Sequence, residues 1–457
     1  MTLTREDPEL DRPIEGKEML LDYFRSGEKP RERWRVGTEH EKLGLRVKTF
    51  EPIAYEQEKG LRLLLETLVR SHDWSPLLEG DTVVGVEQEG RRITLEPGGQ
   101  LELSGAPLFT IHETCREFRD HIALMNHVSG EFGIVWMGLG MHPLADVEQI
   151  SWVPRERHRL MRDLLAQRGT LAHHMMKGTA GVQANFDYED PSDLARKLRV
   201  ASAVSPVVMA LYANSPLSGG RTNDFLTRRG WVWRHTDPDR CGVLPFVFDP
   251  SWLEGDAYER YAEWALDVPM LFIEREGRHL SVGGSTFRAF LADSGEHTPK
   301  LADWNLHLTT LFPEVRTKQV IEVRCADAVP PGLVCALPAL FKGLLYDEET
   351  LSTALNRFGH WTFVQVDRLH AEVTRSGLAS RTPDGPALGV AQELVDLARK
   401  GLGQIGDRNR AGEDESLFLE PLYEILDQGH SPARQLLERW DGAWQHRVDA
   451  LVDYAAY

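Results

Sequence analysis

The chain has 457 residues, of which 42% are hydrophobic and 27% charged, the composition of a folded globular protein rather than a disordered or fibrous one. Its formal net charge of -18 argues against a nucleic-acid partner, because affinity for polyanions comes from clustered Lys and Arg. The longest apolar runs, "VVMALYA" after Pro206 and "LVCALPALF" around Cys335, are far shorter than the roughly 20 residues a membrane helix needs.

The acidic, Pro-containing start "MTLTREDPELDRP" has the character of neither a signal peptide nor a transit peptide, so a cytoplasmic location is expected. Helical periodicity follows in "KEMLLDYFRSG", "KGLRLLLETLVRSH", "CREFRDHIALMNHVSGEFG" and "RERHRLMRDLLAQRG", each closed by Gly or a polar turn. Strands are expected at "WRVGTEHEKLGLRV", "TVVGVEQ", "RRITLEPG", "GQLELS", "GIVWMGLGM", "TAGVQANFDY", "MLFIERE" and "VIEVRCA". Helices and strands do not alternate strictly, so the reading is an α+β fold around a mainly antiparallel sheet. From about Pro331 the chain turns mostly helical. We expect one catalytic domain over 1–457, with a helical lead-in over 1–30 and a helical C-terminal extension over 385–457 packed on the core. Cys115, Cys241, Cys325 and Cys335 are far apart with no CxxC pair, which predicts free thiols in a reducing compartment.

The stretch "RVGTEHEKLGL" carries the first chemical signal. On a strand, Glu39 and Glu41 share a face with Leu43 and Leu45, while Thr38, His40 and Lys42 point the other way. Acids aimed into a sheltered interior need cations. In "RRITLEPGGQLELSG" the Pro97-Gly98-Gly99 turn joins two strands whose polar parity holds Glu96 and Glu102, and "VIEVRCAD" places Glu322 with Arg324. Five carboxylates on four strands outline a metal cluster, and oxygen donors without Cys or an HxxxH pattern favour Mg²⁺ or Mn²⁺ over zinc. The plainer readings are a solvated strand face for Glu39 and Glu41, a surface hairpin for Glu96, and a structural ion pair for Glu322 with Arg324. "GVQANFD" presents Gln183, Asn185 and Asp187 on one parity, suited either to buried backbone or to a polar substrate. "FLTRRGWVWRHTDPDRCG" gathers Arg228, Arg229, Arg234 and Arg240 with Trp231 and Trp233, an island suited to a small carboxylate or to solvent.

The motifs "VGTEHEKLG", "LEPGGQLELSGAP", "VQANFD", "ALYANSP", "DRCGVLPFVFD", "ALDVPM", "TFRAFL", "HLTTLFPEVR", "VRCAD" and "CALPALFKGLLYD" stand in the order and character of the plant- and proteobacterial-type glutamate–cysteine ligases, which this chain resembles from about Arg35 to Asp347. The resemblance implies a fold similar to glutamine synthetase and the guanidino kinases, with an antiparallel sheet forming a funnel for ATP and metal. It implies Glu39, Glu41, Glu96, Glu102 and Glu322 as ligands of Mg²⁺ or Mn²⁺, Arg229 as the arginine for the glutamate carboxylate, and Gln183 and Asn185 as polar contacts in that pocket. It further implies Trp233 as a pocket wall, and Glu322 and Arg324 as catalytic, with Arg324 facing the transferred phosphate. The implied reaction is ATP-dependent joining of the γ-carboxyl of L-glutamate to the amine of L-cysteine through a γ-glutamyl phosphate, the first step of glutathione synthesis. The implied partners are these substrates, with no nucleic acid and no membrane, and the implied assembly is a monomer or homodimer. A ligase of the same fold with another amine acceptor and a phosphotransferase are the rival readings. Two positions depart from plant members: Val282 replaces a cysteine used there in a redox-sensitive disulfide, and Leu271 replaces an aromatic residue after "DVPM".

Overall fold

The computed structural model describes residues 8–293 and 295–457; the first seven residues of the expected lead-in lie outside the described residues. Among these, nine strands form one sheet: β1 (Val36–Arg46), β2 (Ser75–Glu79), β3 (Thr82–Gln88), β4 (Arg91–Leu95), β5 (Leu101–Ser104), β6 (Ile134–Met137), β7 (Gly181–Phe186), β8 (Val315–Thr317) and β9 (Ile321–Asp327). Their order is β8-β9-β7-β1-β5-β4-β3-β2, with β6 pairing along the second half of β1. All pairings are antiparallel, as the mixed order of predicted elements requires.

One face of this sheet is closed by helices. Val36, Thr38, His40 and Lys42 of β1 are buried on that side, as are Val182, Ala184 and Phe186 of β7 and Ile321 and Val323 of β9. The covering helices are α1 (Ile111–Gly130), which packs on β1 and β6, α3 (Pro191–Leu211), which packs on β9, and α5 (Ala336–Leu345), which packs on β7 and β1. Between them in the chain lie α2 (Glu156–Leu165) and α4 (Arg228–Arg234), with α6 (Phe363–Ser376) and α7 (Ala387–Ile405) following. The periodicity predicts a start for α1 at Cys115; the helix begins at Ile111, because Thr110 and Glu113 form a capping box that satisfies its first amides. α3 is buried along nearly its whole length. A helix surrounded by protein shows no amphipathic stripe, which is why periodicity did not reveal it. Among the described residues no helix is long and apolar enough to cross a membrane.

Two expectations are corrected and a third is extended. "MLFIERE" supplies only Ile273–Arg275, which pairs with Arg278–Leu280 in a separate hairpin and never joins the large sheet. β4 ends at Leu95, so Glu96 sits in the turn, its carbonyl accepting the amide of Gly99 at 2.8 Å and its own amide donating to the carbonyl of Gln100 at 2.9 Å. The cysteines are free but not all isolated: the Cys115 and Cys335 thiols hydrogen-bond each other, a contact that holds the Cys115 pKa below its ordinary value.

The C-terminal helices are tied to the core by a buried lysine. Lys342 of α5 pairs with Asp407 at 2.6 Å and with Glu415 at 2.7 Å, and Glu415 also accepts the first amide of α1 at 2.6 Å. Removing the cation would strand a buried carboxylate, so Lys342→Met is expected to cost about 3–5 kcal/mol of stability. Equilibrium denaturation checks this; a loss under about 1 kcal/mol would place the pair among surface-like ion pairs.

Candidate active site

The uncovered face of the sheet is built by register. In antiparallel pairing, residues opposite each other project to the same side. Glu39 faces Gln183 across β7 and Ser104 across β5; Glu41 faces Glu102, which in turn faces Thr94; Asn185 faces Glu322, and Glu322 faces Arg316. The strand alternation read from the sequence therefore gathers Glu39, Glu41, Glu102, Glu322, Gln183 and Asn185 on one face. Glu96 joins them from the turn after β4, close enough for its charge to act on Glu41 and Glu102.

Between Val323 and Ala326 the register of β9 against β7 shifts by one residue. This β-bulge sets Arg324 and Cys325 against one partner, a device that re-aims a side chain. Arg324 donates to Gln183 and to Glu322, both from Nη1. After the bulge the parity inverts, and Asp327 takes the amide of Asn214 at 2.8 Å and the hydroxyls of Ser215 at 2.7 Å and Thr227 at 2.8 Å. Thr227 is the N-cap of α4, accepting the amide of Gly230 at 3.0 Å, so the bulged strand fixes the helix that carries Arg229.

Arg229 is buried, donating from Nη2 to the carbonyl of Arg324 at 2.9 Å. Gly181 makes room for it: a Cβ there would stand 2.7 Å from Arg229 Nη2. Arg229, Trp233, Phe312, Pro313, Glu314 and Arg324 line a small cavity. Arg229 Nε and Trp233 Nε1 are buried without a hydrogen-bond partner. Of the other arginines in the island, Arg240 pairs with Asp237 at 2.7 Å and donates to two backbone carbonyls, Arg234 pairs with Asp367 at 2.7 Å, and Arg228 lies over the Phe225 ring. Their partners hold them in the fold, and Arg229 alone of the four lines the cavity.

The acids are unequally compensated. Burial pushes the Glu322 carboxyl up, but Arg316 at 2.8 Å, Lys318 and Arg324 outweigh it and hold its pKa below the carboxylate range. Glu102 is pushed well up, by burial first and then by Glu96, Glu39 and Glu41. Glu41 is raised to about 7 by burial and Glu96, against the opposing pull of Arg229 and a 2.6 Å hydrogen bond from the amide of Gly181. Glu39 is raised by burial and by Glu322, while accepting from Asn185 Nδ2 at 2.8 Å. Although the carboxylates share a face, among the described residues no three His, Cys, Asp or Glu side chains are gathered into a set that could hold a metal ion. Gln183 and Asn185, expected as substrate contacts, bond to Arg324 and Glu39.

Two residues on this side escaped the sequence reading. Arg157, in the first turn of α2, has its Nε buried without a partner and stands within electrostatic reach of Glu96 and Glu102; the one-turn spacing from "PRER" gave no sign that a helix N-terminus would be laid against the cleft. Glu314, in the "FPEVR" stretch, reaches the cavity only because β8 runs beside β9.

Residues 35–453 match the model of glutamate-cysteine ligase family 2 (GCS2). The chain is 41% identical over 446 residues to the chloroplastic glutamate–cysteine ligase of Medicago truncatula, covering 96% of this chain and 85% of that protein. It is 40% identical to the Arabidopsis thaliana counterpart, covering 96% and 83%, and 39% identical to chloroplastic ligase B of Oryza sativa subsp. japonica, covering 99% and 90%. In fold it is similar to a glutamate–cysteine ligase of Francisella tularensis solved in complex with AMP, with a TM-score of 0.53, 14% identity, and 92% and 87% of the two chains covered. The chloroplastic designation of these relatives overturns the expectation of a cytoplasmic protein. A family match along nearly all of the chain, with relatives near 40% identity over the same span, makes this protein a member of glutamate–cysteine ligase family 2.

Proposed function

We propose that the open face of the sheet is where this ligase joins the γ-carboxyl of L-glutamate to the amine of L-cysteine, using ATP, in the first step of glutathione synthesis. The observation that carries the placement is Arg229, a buried guanidinium with an unpartnered Nε in a cavity it shares with Arg324. A carboxylate is the natural occupant, because a guanidinium offers a planar fork of donors that matches two carboxylate oxygens. Arg229 then holds the α-carboxylate of glutamate, with Trp233 as a wall and its Nε1 as a further donor. Gln183 and Asn185 fix the charged groups around the substrate, Gln183 through Arg324 and Asn185 through Glu39.

A γ-carboxylate is a poor electrophile, so phosphorylation by ATP must precede attack by the amine. Phosphoryl transfer asks for positioning and for neutralisation of spread negative charge rather than for a side-chain nucleophile. Arg324, aimed by the bulge and steadied by Gln183 and Glu322, supplies that charge opposite the transferred group. Glu322 acts by orienting Arg324.

The donor chemistry of the remaining acids suits a hard divalent cation. Glu39, Glu41, Glu96 and Glu102 offer oxygen ligands alone, and beyond burial the charge of Glu96 pushes up the carboxyls of Glu41 and Glu102 for want of positive charge. We propose these four, with Glu322 as a fifth ligand if it yields one arginine contact, as the residues that would hold Mg²⁺ or Mn²⁺. Such an ion would neutralise the phosphates of ATP. We also propose that the whole chain works as one catalytic unit, supported by the buried Lys342 link and by the Tyr457 hydroxyl, which donates to the carbonyl of Val329 at 2.9 Å.

Three outcomes test this reading. Arg229→Ala is expected to raise the KM for glutamate by roughly 30- to 1,000-fold, the equivalent of about 2–4 kcal/mol, with little change for ATP; equal rises in both would place the carboxylate elsewhere. Glu39→Gln is expected to remove most turnover with the fold intact by circular dichroism, because a neutral amide is a weak ligand for a hard cation; near-normal turnover at low Mg²⁺ would exclude Glu39. The third concerns pH. The folded state holds the Glu41 proton more tightly than an unfolded chain with its ordinary value of 4.5, so the site loses stability as pH rises from about 4.5 through about 7. Without divalent metal, Glu41→Gln should flatten that decline in Tm, and Mg²⁺ should raise Tm more at pH 8 than at pH 5. A Mg²⁺ effect equal at both pH values would contradict carboxylate binding.

A further inference from the structure

The cavity beside Arg229 holds a third charge that the reaction has not yet used. Arg229 and Arg324 bring two guanidiniums to it, and Glu314 brings one carboxylate. Glutamate carries the opposite set: two carboxylates and one ammonium. Among the described residues Arg229 has no carboxylate within ion-pair distance, and Glu314 is hydrogen-bonded to His370 at 2.8 Å, with neither arginine of the cavity within ion-pair distance of it.

The state of His370 decides what Glu314 has left to offer. His370 is fully buried in α6, with Nε2 toward Glu314 Oε1 at 2.8 Å and Nδ1 toward Arg234 Nη1 at 3.1 Å. A guanidinium has donors and no acceptor, so Nδ1 must accept from Arg234. The ring proton therefore sits on Nε2 and is donated to Glu314 by a neutral imidazole. Arg234 is itself paired with Asp367 at 2.7 Å, which fixes the far end of the chain. Glu314 is thus held in place by a hydrogen bond that leaves its negative charge without a full cationic partner. Burial pushes its pKa up, and His370, Arg229 and Arg324 outweigh that effect, so the carboxyl stays ionised.

We propose that Glu314 binds the α-ammonium of the glutamate substrate, and that His370 and Arg234 are the positioning residues that keep its carboxylate turned to the cavity. The proposal rests on the reading of Arg229 as the α-carboxylate site. It makes the amine a specificity element: an acid with two carboxylates and no amine would leave Glu314 buried without a partner, a penalty that discriminates strongly against it.

The test compares L-glutamate with glutarate, which lacks the amine, using phosphate release from ATP with the full chain. In Glu314→Gln the amide oxygen still accepts from His370 Nε2, so folding is protected; a melting temperature close to wild type confirms it. The expected result is a rise in KM for glutamate on the order of 30-fold or more, with the KM for glutarate falling, because the buried charge it left unpartnered is gone, and the ATP KM unchanged. His370→Phe should move glutamate in the same direction and leave glutarate nearly unaffected. Equal losses for both acids, or no loss for glutamate, would overturn the assignment of Glu314. Arg229→Ala separates the two levels: if it raises the glutamate KM while Glu314→Gln does not, the placement of the site stands and this inference fails. If neither variant moves it, the placement itself is wrong.

Discussion

Everything on the open face depends on the pairing of β1 between β5 and β7. Glu39 and Glu41 stand on that face only because His40 and Lys42 stand on the other, and the side-chain period of a strand leaves no intermediate choice. A slip of one residue would put two acids among the apolar side chains under α1 and bring a lysine and a histidine to the cleft. What prevents it is the back of the sheet: Ile93, Leu95, Leu101 and Leu103 are all essentially buried, and any slip of β4 or β5 would expose them. Hydrophobic burial on one side thus specifies the positions of charges on the other.

Those charges fall into two zones. At the β9 end, Glu322 is surrounded by Arg316, Lys318 and Arg324, and positive charge is in local surplus. At the β5 end, Glu41, Glu96 and Glu102 repel one another, with Arg157 close by but outside ion-pair distance among the described residues. A molecule with both carboxylates and phosphates to place meets a cationic end directly. At the acidic end it needs a cation brought in with it. The gradient across four strands gives the cleft a direction, and the cavity lined by Arg229 and Arg324 lies at the cationic end.

The strand alternation in "TEHEKLGL" was enough to predict which residues of β1 share a face, and the Pro-Gly-Gly turn was enough to bring Glu102 beside it. Resemblance to a known family then gave the fold, because its motifs are long and in order. Other features were not legible for identifiable reasons. The bulge at Arg324 and Cys325 adds one residue on one strand, which only the partner strand reveals. α3 lacks a polar side, so its period is silent. Glu314 and His370 are 56 residues apart, and nothing in either local pattern announces the other. The residue pattern alone did not rank the four arginines of "RRGWVWRHTDPDR"; the resemblance singled out Arg229, and in the structure Asp237 and Asp367 claim Arg240 and Arg234. Location was misread because an acidic N-terminal stretch was taken as decisive.

The bulge has one more effect. The main chain of residue 324 serves both neighbours of the cavity: its amide donates to the carbonyl of Glu314 at 2.9 Å, and its carbonyl accepts from Arg229. Arg229 and the main chain of Glu314 are therefore wired to the backbone of residue 324 and not to the guanidinium that projects from it. Charge and framework are mechanically separable at this position. A change of the side chain at 324 alters the charge in the cavity, while the backbone contacts that hold Arg229 and the main chain of Glu314 stay in place.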